Sequence, residues 1–444
     1  MKPRLMNILP HSLSTTHELL TSRGGLLAIA TLMQKLNLTD LIDKHFVLPK
    51  SNRGFNPSVF LNSLILMQHE GGIRLDDLKY LKKDAAITKL LGLKNIPQPD
   101  SVGDWLRRMG ISGVNAISLI NKELCRIALE GTKHVTLDID ASEIISNKRD
   151  AKKTYKYNQG YMPMIGHIAE INYVIETDFR EGNTSPKTEN LEFIKKCQEN
   201  LPQSVKIKYL RIDCAGYQKS IIQYCDEKEI HFAIRAMMSK SIRTYINTLD
   251  ETQWEPIIKP DGCESTMCSH RTTHRISDYK EPFTLIIQRT PKSGQQQLDL
   301  NEASDEVEEN GYTYRAIATS MDSTSDSEII KWYGARAEKS ENKIKELMLD
   351  FGGAHMPCGQ FAANALYFSI CTLSYNLFVM LRNHLPDEFK KSRAKAVRLR
   401  VYGMAAKLIK HSRQFKLKLQ KFNNNLLSQI INKIKQHQFY PNLE

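Results

Sequence analysis

From residue 134 to residue 237 the chain reads as strand, strand, strand, helix, strand, helix, strand, and that order leaves few folds open. In HVTLDIDAS (134–142), Val135, Leu137 and Ile139 alternate with Thr136, Asp138 and Asp140. This is the period of a half-buried strand, and it turns both aspartates to one face. MPMIGHIAEI (162–171) and NYVIETDF (172–179) continue as strands. TENLEFIKKCQENL (188–201) is helical, VKIKYLRIDCAGY (205–217) a strand, QKSIIQYCDEKE (218–229) a helix and HFAIRAM (231–237) a strand. Such an order makes a mixed α/β sheet. It also puts Asp213 at the carboxyl end of its strand, where sheets of this kind place their chemistry.

The flanks have a different character. Residues 1–130 carry helical patterns with polar punctuation, among them LDDLKYLKKDAAITKLLGL and PDSVGDWLRRMG. Residues 237–324 turn to short β-type runs, FTLIIQRT and YTYRAIATSM, joined by polar loops, and read as a β-rich insertion. At Ser325 the pattern becomes helical again. Ser325 and Glu328 have capping-box spacing, and the helix can run to Gly352 and Gly353. NALYFSICTLSYNLFVML (364–381) is interrupted by Ser369, Thr372, Ser374 and Asn376 and is short for a bilayer, so it reads as a buried core helix. The division expected is 1–130, a helical DNA-binding region; 131–236 and 325–385, two parts of one core; 237–324, the insertion; and 386–444, a basic helical tail.

Charge narrows the partners. The formal net charge is +13, and from Pro386 onward there are 14 Lys or Arg against three acids. A segment like that, punctuated by Tyr402, Phe415 and Phe422, suits a face that neutralises phosphates, so nucleic acid ranks first among polyanions and an anionic membrane second. The N-terminus lacks the apolar core of a secretory signal, and eight scattered cysteines do not make a disulfide scaffold, which points to a reducing cytoplasm. Cys263, Cys268, His270 and His274 lie within twelve residues but with irregular spacing for zinc, and read as loop and strand residues.

Three acids stand where the elements could bring them together: Asp140 on the first strand, Asp213 at the end of the fourth, and Glu341 on the helix after the insertion. Gathered carboxylates repel unless a cation lies among them. Two Mg²⁺ ions would relieve the repulsion and serve an in-line phosphoryl displacement.

The motifs LDIDAS, GYMPMIGHIAE, FREGN, YLRIDCAGYQ, WYGARAEKSENKIKEL and FAANALYFSICTLSYNL, in that order, resemble the DDE transposases of bacterial insertion sequences, which have an RNase H-like core. Within the superfamily marked by a Tyr, Arg and Glu helix signature, the chain is most similar to the group named for insertion sequence thirteen-eighty. The resemblance implies an α/β fold: an RNase H-like mixed-sheet catalytic core interrupted by a β-rich insertion, with helical N-terminal and C-terminal regions. It implies cut-and-paste transposition by two-metal phosphodiester hydrolysis and strand transfer, with two Mg²⁺ ions, for which Mn²⁺ can substitute. The alternative is a catalytically inactive DNA-binding relic or regulator. Asp140, Asp213 and Glu341 become catalytic residues and metal ligands, with Asp138 the runner-up on the same strand face. Tyr333 and Arg336 match the signature and are expected at DNA phosphates. Lys343, Lys345, Arg180, Asn183 and Trp332 are further DNA-contact candidates, although Trp332 is favoured as a packing residue and Gly182-Asn183 also fits a plain turn. Partners implied are terminal inverted repeats and target DNA, held by a homodimer in the bacterial cytoplasm at the nucleoid.

The chain departs from the superfamily pattern in two places. Four residues rather than three separate Arg336 from Glu341, which sets them about 140° apart on a helix, and Glu338 would be about 160° away. The basic residue expected seven positions after the glutamate falls on Met348.

Overall fold

The structure is a computed structural model that describes residues 11–50, 54–259, 262–276, 279–292, 306–336, 342–411 and 414–439. The chain opens with strand β1 (Leu19–Thr21) and six helices, α1 (Leu27–Lys35), α2 (Leu38–His45), α3 (Pro57–Glu70), α4 (Leu78–Lys83), α5 (Ala85–Leu90) and α6 (Pro99–Ala128). Local chemistry sets their ends. Proline occupies the first position of α3 and α6, where its missing N–H costs nothing, and Asp84 caps α5 by accepting from the Ile87 amide. Helix α6 bends at Gly110 (φ 42°, ψ −130°), a conformation that a residue with a Cβ adopts only under strain.

Next come β2 (His134–Ala141), three short strands β3 (Ile144–Ile145), β4 (Lys152–Lys153) and β5 (Gln159–Tyr161), then β6 (Met164–Ile168), β7 (Tyr173–Asp178), α7 (Asn190–Asn200), β8 (Lys206–Ile212), α8 (Lys219–Glu227) and β9 (His231–Arg235). The main sheet runs β7-β6-β2-β8-β9. β6 is antiparallel to both its neighbours, whereas β8 and β9 run parallel to β2. That is the strand order and direction of an RNase H-like core, and it bears out the mixed α/β expectation. The three short strands form a small sheet of their own, in the order β3-β5-β4, which sequence reading did not anticipate.

The β-rich stretch contains α9 (Lys240–Ile246), β10 (Glu255–Ile258), β11 (Glu264–His274), β12 (Phe283–Pro291), β13 (Val307–Glu309) and β14 (Tyr312–Thr319). Its strands do not form a separate sheet. β14 pairs antiparallel with β9, and β12, β11 and β10 follow outward, so the core sheet continues without a break. The physical reason is that β9 would otherwise leave a row of unpaired backbone groups at an edge.

Beyond it lie α10 (Asp326–Arg336), α11 (Asn342–Lys345), a π-helical turn over 346–350, α12 (Phe361–Arg382), α13 (Asp387–Lys390), α14 (Ala394–Val397), β15 (Ala406–His411), β16 (Gln414–Leu419) and α15 (Lys421–Gln436). The capping box at the start of α10 forms: the Glu328 amide donates to Ser325 Oγ at 3.3 Å, and the Ser325 hydroxyl donates to the Glu328 carboxylate at 2.8 Å. Helix α12 has the length and apolar character to cross a membrane, yet its most apolar window is wholly buried, against α1, α3, α6 and β7. Its polar residues are satisfied inside the core. Asn376 Nδ2 donates to Asn121 Oδ1 (2.7 Å) and the Val174 carbonyl (2.8 Å), and its Oδ1 accepts from the Val174 amide (2.9 Å). These bonds fix the register of α12 against β7 and α6.

The two ends of the chain meet. β1 pairs with β15, and Gly25 lies so close to Val401 that a Cβ there would sit 1.7 Å from the carbonyl oxygen. The basic tail is therefore not wholly helical: β15 and β16 pair antiparallel, and the alternation of Lys with apolar residues in FKLKL favours period two. Tyr402, expected at a phosphate-facing surface, is buried, while Phe415 and Phe422 are exposed.

Candidate active site

Asp140 and Asp213 stand side by side. The register of the parallel pair β2–β8 sets Ile139 opposite Ile212. The next residue of each strand is an aspartate, so the two backbones carry these acids about 4.8 Å apart at the carboxyl edge of the sheet. Asp213 leaves its strand into a short 3-10 turn, where its Oδ1 accepts from the Ala215 amide at 3.0 Å. Asp140 remains partly open, with 23% of its side chain exposed.

One turn of α10 crosses both strand ends. The Tyr333 hydroxyl donates to the carbonyl of Ile212 (3.2 Å), and Arg336 Nη1 donates to the carbonyl of Ile139 (3.3 Å), from which it lies 3.7 Å from Asp140 Oδ1. Residues three apart share a helix face, which is why Tyr333 and Arg336 reach adjacent strands together. Burial works against the charge on Arg336. The Tyr333 phenol and the carboxylates of Asp140, Asp213 and Asp138 outweigh it and hold the guanidinium charged, above its ordinary range. Arg336 Nε has no acceptor among the described residues.

Beneath this row lies a second. Asp138, the runner-up for the first catalytic acid, is 2% exposed and receives Arg211 Nε at 2.6 Å and Nη2 at 2.7 Å. Arg211 also donates through Nη1 to the Trp332 carbonyl (2.5 Å), and its guanidinium lies 4.8 Å from the Trp332 ring centroid. Trp332 meets Tyr209 edge-on as well. Trp332 thus packs against Arg211 and Tyr209, and Asp138 serves a buried fork-to-fork ion pair rather than an open ligand position. Burial, with Arg211 adding to it, lowers the pKa of the adjacent His167 despite Asp138. Arg211 was not singled out from sequence. The available signal was its spacing: two residues before Asp213 on one strand, as Asp138 is two before Asp140 on the neighbouring one.

The remaining candidates separate into two sets. Tyr333 is 7% exposed and Arg180 is 7% exposed, so neither offers the open phosphate contact expected of it. Arg180 Nε donates to Asp178 at 2.6 Å and Nη1 to the Thr188 carbonyl at 2.8 Å, bracing the loop after β7. Lys343 turns inward: its Nζ is 3.9 Å from the buried Glu346, which also receives Arg382 and the Ala394 amide. Burial, then Arg382, lowers the Lys343 pKa. Asn183 and Lys345 are exposed. Glu341, the expected third acid, lies outside the described residues.

Cys268, His270 and His274 lie on β11 and Cys263 just before it. An extended strand rises about 3.4 Å per residue, so Cys268 and His274 are roughly 20 Å apart, too far to share a zinc ion. His270 instead bonds the Gln253 carbonyl and the Tyr245 hydroxyl. Among the described residues no group of three metal-ligating side chains is gathered. The donor set at Asp140 and Asp213 nevertheless suits a hard divalent cation: two carboxylates one strand apart, with the Asp140 side chain 23% exposed.

An RNase H-like sheet with paired acids at the ends of its first and fourth strands defines a class, the DDE strand-transfer nucleases. The chain belongs to the family described as "Transposase DDE domain group 1", whose model matches residues 12–439. Members of this class generally use divalent metal ions. Among solved structures, the chain is similar to that described as "Cryo-EM structure of piggyBac transposase synaptic complex with hairpin DNA", at 10% identity and TM-score 0.44, over 97% of this chain and 89% of that one. No curated protein matches it.

Proposed function

We propose that the protein is a cut-and-paste DNA transposase of the group named for insertion sequence thirteen-eighty, acting through Asp140, Asp213 and Glu341. The observation that carries this reading is the pair Asp140 and Asp213 on neighbouring strand ends with the Arg336 charge against them. Two Mg²⁺ ions, or Mn²⁺ in their place, would be held by the three carboxylates and supply charge neutralisation for an in-line displacement at phosphorus. Water attacks a phosphodiester at the element's end and releases a 3′-OH, which then attacks a target phosphodiester.

The chain's own residues have distinct parts in this scheme. Asp140 and Asp213 present carboxylate oxygens from a rigid sheet edge. Arg336, fixed through Nη1 to the Ile139 carbonyl, sets its positive charge beside Asp140. Tyr333, Trp332 and Arg211 hold α10 in place, and Arg180 and Lys343 brace the surroundings. Asn183 and Lys345 lie on the DNA side. Residues 1–130 and 386–444 grip the inverted repeats and the flanking or target DNA. Two ends must be joined, so the working unit is at least a dimer, in a bacterial cytoplasm.

The test is a nicking assay on a duplex that carries the element's end, with and without Mg²⁺. Asp140→Asn, Asp213→Asn and Glu341→Gln should each lower nicking roughly a thousandfold, about 4 kcal/mol of barrier, while DNA binding persists. Undiminished nicking in all three would refute the assignment.

A further inference from the structure

We propose that the loop 154–158, at the tip of the small sheet that follows Asp140, is a base-stacking platform: Tyr157, with Tyr155 beside it, stacks on an unpaired nucleobase of the DNA strand brought to Asp140 and Asp213. The proposal rests on the functional reading above and names a contact which that reading does not contain.

Two tyrosines stand out in this loop. Tyr157 is 86% exposed and Tyr155 is 53% exposed, although both rings would gain from burial. The backbone makes Tyr157 the more unusual. Its amide donates to the Thr154 carbonyl (2.9 Å) and the Thr154 amide donates to the Asn158 carbonyl (2.7 Å), closing a tight turn between β4 and β5. In that turn Tyr157 has φ 65°, the left-handed conformation that such loops assign to glycine or asparagine. A tyrosine here is strained, exposed and of no use to the core, and such outliers cluster at ligand contacts.

The tip is also held firmly. Thr154 is 4% exposed and its hydroxyl donates to the Glu143 carboxylate. Asn158 Nδ2 donates to the same carboxylate at 3.2 and 3.3 Å. Glu143 follows Asp140 by three residues, so the anchor lies at most about 11 Å along the chain from the candidate metal ligand. The base of the sheet is pinned a second time, where Asp150 accepts from the Phe361 amide at the start of α12 (3.2 Å). A platform fixed at both places presents its rings at little cost in ordering.

The surrounding charge selects the partner. Lys152 and Lys153 are exposed on β4, Arg149 lies at its base, and Lys156 Nζ is 5.5 Å from the Tyr155 ring centroid. Of the carboxylates nearby, Glu143 is engaged by Thr154 and Asn158 and Asp150 by Arg149 and Phe361, while Glu181, bridged to Tyr161 at the far side of β5, is exposed. Exposed rings interleaved with cations are the footprint of single-stranded nucleic acid, where bases stack and lysines follow the phosphates.

The experiment uses the full chain in EDTA, so that no strand is cut, with two probes: a blunt duplex, and the same duplex bearing a short single-stranded overhang that contains 2-aminopurine. The wild type should bind the overhang about tenfold more tightly than the blunt duplex and quench the 2-aminopurine fluorescence. Tyr157→Gly suits the turn better than tyrosine, so its melting temperature should hold or rise. It should nevertheless lose both the overhang preference and the quenching while blunt-duplex binding persists, and Tyr157→Phe should keep them. Retained preference and quenching in Tyr157→Gly overturn the proposal alone, as does a wild type with no preference, or a variant that changes only the oligomeric state and so marks a protein contact. A wild type that binds neither probe overturns the proposal together with the functional reading.

Discussion

Replacing Arg211 with methionine should destabilise the protein far more than the loss of a surface ion pair would. Asp138 and Arg211 are 2% and 3% exposed, joined by bonds of 2.6 and 2.7 Å, so Arg211→Met strands a carboxylate with its charge partner gone. Breaking a buried pair from one side costs about 3–5 kcal/mol, whereas exchanging both partners for apolar groups is often close to neutral. Unfolding entropy of about 2.1 cal/mol/K per residue amounts to roughly 0.9 kcal/mol/K for this chain, so the single change should lower the melting temperature by about 3–5 °C. Asp138→Val with Arg211→Met should recover most of that loss. Calorimetry of the wild type, both single variants and the double variant completes a cycle with a coupling of about 3 kcal/mol. Additive losses would refute the claim that the pair acts as a unit. The same cycle reaches the site, because Arg211 also holds the Trp332 carbonyl of α10, the helix that carries Arg336. Arg211→Met should therefore lower nicking at temperatures where the protein is still folded.

Other consequences follow from the core. His69 is buried, donating through Nε2 to the Ser374 carbonyl and accepting at Nδ1 from Tyr402, and burial, aided by Arg398, pushes its pKa down to about 3. An unfolded histidine binds its proton near pH 6.5, so this stability is full above that value and lost as pH falls towards 3; about 2 kcal/mol should disappear between pH 7 and pH 5. Urea melts of His69→Gln should show a flatter loss over that interval, and an unchanged slope would count against the assignment. Asn376→Leu removes bonds to Val174 and Asn121 in a site that water cannot reach and should cost roughly 3 kcal/mol by urea denaturation.

Much of the core was legible because its elements are regular. The helix between strands at 188–201 and the cap at Ser325 follow from short-range chemistry and form as expected; HVTLDIDAS forms its strand too, but as a central strand it is buried on both faces, Thr136 and Asp138 included, rather than on one. The long apolar run at 364–381 was also recognisable as core, although only packing reveals that α12 touches both the N-terminal helices and β7. What escaped were pairings that depend on distant segments. The insertion joins the main sheet through β14 and β9, β1 finds β15 from the far end of the chain, and Lys343 turns in towards Glu346 and Arg382.

The sequence by itself determined the order of strands and helices, and hence an α/β core with acids at two strand ends, because periodicity and capping act over a few residues. Only the tertiary structure decided which of the charged residues on that face are free to act. The register of β2 against β8 spends Asp138 on Arg211 and leaves Asp140 beside Asp213, and the docking of α10 sets Arg336 against Asp140 while burying Tyr333. The register joins segments 73 residues apart and the docking of α10 segments 121 and 197 residues apart, and no local pattern records either.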